Sequence, residues 1–218
     1  MDEVDYISKM MDILNDTSKF ECLGSCDESD NTGQNERAPQ AFLLRLKKDG
    51  KISEEMYERI RPSGSIRPRM YGLPKVHKPN PIPLRPILSM VGSAQHEMAR
   101  WLTEVLQPVL QQYSSHLIKD SFEFINTLRE YGEVGEDSFM CSFDVKSLFT
   151  NVPIKETIQI CLDVLYRSDC TNPGIEEPIL KKVLLKCTRN EEFSFNDKIY
   201  RQVDGVAMHG VAAGAGTS

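Results

Sequence analysis

The stretch from Arg59 to His96 restricts the fold of this chain more than any other segment. It contains seven Lys and Arg residues and no Asp or Glu, and seven of the twelve prolines fall between Pro62 and Pro86. Proline lacks a backbone N–H and disfavours the helical conformation in the residue before it. The stretch is therefore predicted to be extended, turned or folded into a hairpin, and not to form one long helix.

The basic side chains of this stretch are candidate ligands for phosphate groups. The cationic and imidazole side chains concerned, which have Tyr71 among them, are Arg67, Arg69, Lys75, His77, Lys78 and Arg85. Such side chains can line a nucleic-acid backbone or a triphosphate. A basic loop that only faces solvent is the alternative that composition leaves open.

Charge is distributed unevenly over the 218 residues, whose formal net charge is −6. Residues 1–37 carry ten acids and three bases.

The length suits one domain or two small lobes. No run of about 18 uncharged apolar residues occurs, and the N-terminus lacks a basic segment followed by an apolar one. We expect a chain that is neither secreted nor membrane-spanning, with no membrane partner. We therefore expect an intracellular location, and the sequence does not distinguish the nucleus from the cytoplasm.

The six cysteines are irregularly spaced, and only Cys22 and Cys26 lie close together. This pattern favours reduced, mostly buried thiols. A zinc site at the close pair stays open as the alternative.

The apolar spacing predicts an α+β fold in which helices pack on one face of a mainly antiparallel sheet. The expected elements are helices at 41–48, 53–60, 93–113 and 122–131, a buried strand at 139–143, helices around 158–165 and 180–187, and a hairpin at 193–203. Asp144 would sit at the carboxyl end of the buried strand. A carboxylate there can hold Mg²⁺ or simply cap the element.

Three segments resemble motifs of the reverse transcriptases of Penelope-like retroelements. Ser142–Pro153 resembles motif A, Arg67–Lys78 together with Leu84–Ile87 resembles the fingers motif, and Gln202–Met208 resembles the start of motif B. Weaker similarity reaches the residue pairs 5–6 and 9–10, so the resemblance covers about residues 5–208. It implies a fragment of a right-hand polymerase with fingers and palm.

The resemblance also implies roles for the motif A residues. Asp144 would be the first carboxylate of a two-Mg²⁺ site that joins the primer 3′-oxygen to an incoming nucleotide, and the carbonyl of Val145 would be a neighbouring ligand. The amides of Ser147 and Leu148 would face the triphosphate. Phe149 would crowd a ribose 2′-hydroxyl and so favour deoxynucleotides. From the sequence alone, plain core packing is the favoured explanation for this ring.

The fingers residues receive roles in the same way. Arg85 would stack on the incoming base or grip its phosphate, a task that suits a planar guanidinium. The other five basic residues named above would contact nucleic acid or triphosphate. The implied partners are an RNA template, a DNA primer and deoxynucleotide triphosphates.

The resemblance divides the chain into an acidic leader at 1–40, a fingers-like region at 41–92, an incomplete palm-like region at 93–208 and a divergent tail at 209–218. The family's Tyr-x-Asp-Asp motif, which supplies the second carboxylates, is absent from the sequence. After Met208 the family continues Gly-Ser-Pro-Leu-Gly-Pro, which this chain does not contain. When residues 210–216 are back-translated into codons and the reading frame is shifted by one base, the shifted codons can encode that hexapeptide. We expect a frameshift there, with a splice junction or a wrong gene model as alternatives, and a missing segment before Asp5.

The expected protein is thus a reverse transcriptase fragment that is catalytically incomplete. A noncatalytic nucleic-acid binder and a pseudogene product without a biochemical role are the alternatives.

Overall fold

The computed structural model describes residues 1–25, 32–78, 81–113, 117–132, 135, 139, 141–145, 148–167, 173–189 and 191–206. Seven α-helices and five strands lie in this part of the chain. In chain order they are α1 (Glu3–Leu14), β1 (Phe20–Ser25), α2 (Thr32–Lys48), α3 (Glu54–Ile60), β2 (Arg69–Pro74), β3 (Leu84–Ser89), α4 (His96–Gln112), α5 (Ser121–Tyr131), α6 (Ile154–Arg167), α7 (Glu177–Thr188), β4 (Glu192–Phe195) and β5 (Lys198–Gln202). A short 3₁₀ helix, Leu148–Asn151, precedes α6.

Local side-chain signals fix the ends of several helices. The Ser53 hydroxyl accepts a hydrogen bond from the backbone N–H of Met56 at 3.1 Å, and Asp120 accepts two from the first turn of α5. Such caps satisfy N–H groups that have no partner within the helix. The helices predicted from apolar spacing are all present, and α2 begins earlier than predicted.

The predicted hairpin at 193–203 is confirmed, and of the three forms left open for the proline-rich stretch the structure has the hairpin. The link between β4 and β5 places Asn196 and Asp197 at φ 45° and 57°, the two left-handed positions that a two-residue type I′ turn requires. In the proline-rich stretch, β2 pairs antiparallel with β3. Pro86 lies in β3, an edge strand of the sheet, where a missing N–H is tolerated.

The five strands form one sheet in the order β1-β5-β4-β2-β3. Its pairings are antiparallel except for β2 with β4, which are parallel with Arg69 opposite Ser194. The predicted mainly antiparallel sheet is confirmed. Residues 1–40, expected as a leader, supply both α1 and β1 to this fold.

Two hydrophobic cores separate the sheet from most of the helices. Side chains of α1, including Met10 and Leu14, pack with sheet residues such as Phe193 and Tyr200. A second core joins α2, α3, α4, α6 and α7 around Trp101. The expectation that the helices lie together on one sheet face is therefore too simple, because α1 alone among the described helices contributes residues to the core of the sheet. No described helix has the length and apolar character needed to cross a bilayer.

The prediction of a buried strand at 139–143 is wrong. Phe139 and Phe143 are 87% and 93% exposed, and the described residues of this segment belong to neither a helix nor a strand. Apolar content made the run look buried, but a strand needs a neighbour to accept its hydrogen bonds. None of the five strands pairs with it. Asp144 consequently does not end a strand.

Burial differs from what the sequence suggests in two other places. Helix α5 forms where predicted, but it contains no buried residue, and its Phe122 is 78% exposed. Thiol burial is mixed, because Cys22 and Cys141 are exposed whereas Cys187 is buried. Cys26 lies outside the described residues.

A close contact holds α1 against the hairpin. The Gly72 N–H donates a hydrogen bond to the Tyr6 hydroxyl at 2.7 Å. A Cβ at position 72 would lie 2.6 Å from Met10 Sδ and 3.2 Å from Tyr6 Cε2. Any side chain at position 72 would therefore force Met10 to move, so glycine permits the close approach of α1 to the strand.

Removing this hydroxyl should destabilise the protein. Tyr6→Phe leaves the half-buried N–H of Gly72 without its partner, so we expect the free energy of unfolding in urea to fall by about 1 kcal/mol. The matched control is Tyr131→Phe, since Tyr131 is 82% exposed. Equal stabilities for the two variants would contradict a structural role for the hydrogen bond.

Candidate nucleic-acid interface

The β2–β3 hairpin has one face covered by α1 and one open face, which is largely exposed apart from the buried Ile87 opposite Tyr71. Met70 and Leu84 point towards α1 and belong to the core of the sheet. Side chains alternate along a strand, so Arg69, Tyr71 and Leu73 point the opposite way, and all three are exposed. Leu73 lies opposite Arg85, which is also exposed.

The open face of the hairpin combines two guanidinium groups with an aromatic ring. Arg69 and the cross-strand neighbour of Arg85 are four residues apart along β2, about 14 Å at the usual rise per residue. Tyr71 lies between them with its side chain 39% exposed. Guanidinium groups bind phosphates and exposed aromatic rings stack on bases, the two contacts that single-stranded nucleic acid offers.

The hairpin loop extends this cationic surface. His77 and Lys78 are exposed, whereas Lys75 is half-buried. Backbone hydrogen bonds shape the loop, since Lys75 N–H donates to the carbonyl of Pro83 at 2.9 Å and Lys78 N–H donates to the carbonyl of Lys75 at 2.9 Å. The sequence prediction of a proline-stiffened basic loop agrees with this geometry.

Cations of the hairpin have no acidic neighbour among the described residues, unlike most of the arginines elsewhere in the described chain. Within the described part of the chain, no carboxylate lies within ion-pair distance of Arg69, Lys75, Lys78 or Arg85. By contrast, ion pairs engage Arg45, Arg59, Arg61, Arg100, Arg167 and Arg201. The hairpin charges are therefore available to an external anion.

Arg67 stands apart from the other predicted phosphate ligands. It is half-buried and precedes β2, at the base of the hairpin. Nearby contacts anchor this base: the Ser65 N–H donates to the carboxylate of Glu36 in α2, and the Ile66 N–H donates to the carbonyl of Gly92 at 2.8 Å. The hydrogen bond from Ser65 lowers the pKa of Glu36. The hairpin thus projects from a fixed base.

The motif A residues are largely exposed. Asp144 and Val145 lie in irregular, exposed backbone, and Leu148 and Phe149 belong to the 3₁₀ helix. Phe149 is 39% exposed and belongs to neither core, so core packing does not account for its ring. Ser147 lies outside the described residues, as does the tail at 209–218.

A hydrogen bond joins the segments that resemble motifs A and B. The N–H of Val206 donates to the carbonyl of Phe149 at 2.8 Å. Before Val206, the buried Gln202 donates from Nε2 to the carbonyl of Asp204 at 3.0 Å. Asp204 pairs with Lys19 at 2.8 Å, and this hydrogen bond lowers the pKa of the Asp204 carboxyl. Asp204 is thus committed to a structural ion pair.

The described residues do not build a magnesium centre. Mg²⁺ requires near-octahedral oxygen ligation, usually with one or two carboxylates and additional ligands held in place. Asp144 is exposed, and no group of three or more His, Cys, Asp or Glu side chains able to hold a metal occurs within the described ranges. No catalytic step through a metal follows from this arrangement.

The structure reveals a cavity of about 490 Å³ that sequence reasoning missed. It lies between α2, the base of the hairpin, the start of α4 and the end of α7. Glu191, one of its lining residues, is 3% exposed, and its Oε1 has no hydrogen-bond partner among the described residues. Burial, with a smaller contribution from neighbouring Glu192, raises the pKa of Glu191 to about 8. No sequence signal marks this glutamate, because its burial depends on distant segments.

Comparison of the chain with models of protein families, with curated proteins and with solved structures finds no match.

Glu191 should make the protein less stable at alkaline pH. Its pKa is about 8 in the folded state and 4.5 as the reference value, so the folded state holds the proton more tightly and stability falls as pH rises between these values. We expect urea unfolding to show a loss of a few kcal/mol between about pH 5 and about pH 9.

Two variants distinguish the contribution of Glu191 to the pH dependence of stability from that of the other ionisable groups. Glu191→Gln removes the ionisable group and should flatten the pH dependence, whereas Glu55→Gln, at an exposed glutamate of α3, should leave it unchanged. A pH dependence that is identical in the wild type and in Glu191→Gln would contradict the assignment.

Proposed function

We propose that this chain is a fingers-and-palm region similar to the reverse transcriptases of Penelope-like retroelements, and that it binds nucleic acid without polymerising it. The sequence motifs support the ancestry. The hydrogen bond between Val206 and Phe149 supports it further, because it brings the segments resembling motifs A and B side by side.

The observation that carries the binding activity is the open face of the hairpin. Arg69 and Arg85 have no carboxylate partner among the described residues, and Tyr71 exposes its ring between them. A strand of RNA or DNA would place phosphates on the two guanidinium groups and a base on the tyrosine. Lys78 and His77 in the loop would add contacts to the backbone.

The carboxylates argue against polymerisation by this chain. Transfer of a nucleotide by two metal ions needs acidic ligands that fix both ions. Asp144 offers one exposed carboxylate, and the 218 residues contain no Tyr-x-Asp-Asp sequence. Asp204, the acidic residue of the motif B segment, is held by Lys19. The chain could therefore bind the implied RNA template, DNA primer and deoxynucleotides, but it would not add a nucleotide to the primer.

Removing the hairpin cations should weaken binding in a salt-dependent manner. A labelled single strand of about 10 nucleotides would be titrated and its fluorescence anisotropy recorded. For Arg69→Ala/Arg85→Ala we expect a tenfold or larger loss of affinity at low salt. The salt slope should fall by about 0.7 for each phosphate that the variant no longer neutralises.

Arg100→Ala provides the control, since Arg100 is an exposed arginine on α4 that is already paired with Glu97. It should bind like the wild type. Equal losses in the control and the double variant, or no binding by the wild type at low salt, would refute the hairpin as the interface.

A primer-extension assay tests the lack of polymerisation. With an RNA template, a DNA primer, deoxynucleotides and Mg²⁺, the wild type should extend no primer, because one carboxylate cannot fix two ions. Extension that disappears in Asp144→Ala but persists in Asp163→Ala, at an α6 carboxylate paired with Arg167, would show that the chain is a working polymerase.

A further inference from the structure

The second half of α7 carries a group of cations that no acidic side chain neutralises. Residues 181–189 contain four Lys and Arg residues and no Asp or Glu. Lys182, Lys186 and Arg189 are exposed, and within the described part of the chain no carboxylate lies within ion-pair distance of them. Charges of this kind remain available to an external polyanion.

These three cations form one stripe at the end of the helix, the α7 stripe. Positions 182, 186 and 189 are separated by four and three residues, the spacing of neighbours on a helix surface. Lys182 and Lys186 lie about 6 Å apart along the axis, and Arg189 is the C-cap. The opposite side of α7 is buried in the helical core through residues such as Leu180 and Leu184. The stripe therefore faces outward.

The cavity of about 490 Å³ joins the α7 stripe to the hairpin. Lys186 and Arg189 line it on one side, and Pro68 lines it at the base of the hairpin. Pro68 is followed directly by Arg69. Lys186 is held over the ring of Phe42, with 4.9 Å from Nζ to the ring centroid, and it keeps its charge there. The cations of the hairpin and of α7 thus border the same cavity.

The side chain of Arg69 points to a sheet face that borders this cavity. Arg69 lies opposite Ser194, and Glu192, two residues earlier in β4, shares that face because side chains alternate along a strand. Glu192 lines the cavity. Its carboxylate accepts a hydrogen bond from Arg201 at 2.8 Å, so it is already paired.

Two other acids near the stripe also leave it free. The hydrogen bond from Lys19 lowers the pKa of Asp204 most, and the charge of Arg189 contributes least, without an ion pair between Asp204 and Arg189. Glu191 lines the cavity but is 3% exposed, and burial raises its pKa to about 8. A phosphate at the rim of the cavity would therefore meet no unpaired, charged carboxylate among the lining residues.

We propose that a single strand of nucleic acid bound on the hairpin continues across the rim of the cavity and lays its phosphates on the α7 stripe. The path turns from a sheet to a helix. A flexible single strand can follow such a path, whereas a duplex resists bending. This inference rests on the proposed binding function and adds a second contact surface to it.

A charge-matched pair of variants tests the stripe. Lys182→Gln/Lys186→Gln/Arg189→Gln removes it with side chains that helices accept. The control is Lys48→Gln/Arg129→Gln/Lys155→Gln, which removes the same number of Lys and Arg charges from α2, α5 and α6. Its three cations are exposed, lie outside the cavity lining and have no ion pair among the described residues. Urea unfolding of both variants checks that each is folded.

The probes are end-labelled single strands of about 8 and about 16 nucleotides, titrated by fluorescence anisotropy. On the longer strand, the stripe variant should bind at least tenfold more weakly than the control. Its salt slope should be smaller by about 2, which is about 0.7 for each of three phosphates. On the shorter strand, which cannot span both surfaces, the two variants should bind alike.

Lysine acetylation read by mass spectrometry gives a second measurement, made on the wild type alone. The longer strand should protect Lys182 and Lys186 from acetylation. Lys181 is the internal control, because its Nζ donates to Oε1 of Gln159 on α6 at 3.0 Å and lies away from the stripe. Its acetylation should be the same with and without the strand.

The outcomes separate this inference from the proposed function. Equal affinities of the stripe variant and the control for the longer strand, or no protection of Lys186, overturn the α7 surface. The hairpin interface then stands if Arg69→Ala/Arg85→Ala still weakens binding. A loss in the stripe variant while the hairpin variant binds like the wild type overturns the hairpin interface and retains α7. If the wild type binds neither strand at low salt, both fail.

Discussion

The approach of α1 to Gly72 covers one face of the β2–β3 hairpin. β2 pairs with β4 only where Arg69 lies opposite Ser194. Beyond that point the strand is secured by β3 on one side and by the hydrogen bond between Gly72 N–H and the Tyr6 hydroxyl. Without a side chain at position 72, Met10 packs directly onto the strand. One face of the hairpin is thereby sealed, and its cations are left on the other.

The separation into two cores has a functional consequence. The sheet packs with α1, and the remaining buried helices form their own core around Trp101. The cavity lies where lining residues from both parts meet, with Met98 from the helices and Glu192 from the sheet. Packing within each core leaves this junction incompletely filled. Glu191 lines this junction, and no described residue offers a hydrogen bond to its buried Oε1.

The family resemblance implies roles for individual residues, whereas the structure shows where those residues lie. The resemblance assigns a chemistry to Asp144, Arg85 and their neighbours. The structure leaves Asp144 exposed in irregular backbone, and it presents Arg85 beside Tyr71 on a face where the described residues place no carboxylate partner. Binding of a polyanion follows directly from the second arrangement, because cations without an acidic neighbour keep their full attraction for phosphate. Catalysis would need ligands that the described residues do not assemble.

Residues close together in the chain were sufficient to predict most of the local elements, although α1 and β1 were missed. Apolar spacing predicted helices such as α4 and α6, and Asn196-Asp197 predicted the β4–β5 turn. The prolines excluded a long helix in the basic stretch but left extended, turned and hairpin forms open. Each of these signals is local. Tertiary packing settled the rest. It paired β1 with β5, left residues 139–143 without a strand partner among the five strands, and left α5 uncovered. It also buried Glu191, since burial arises where distant segments meet, and no local pattern encodes it.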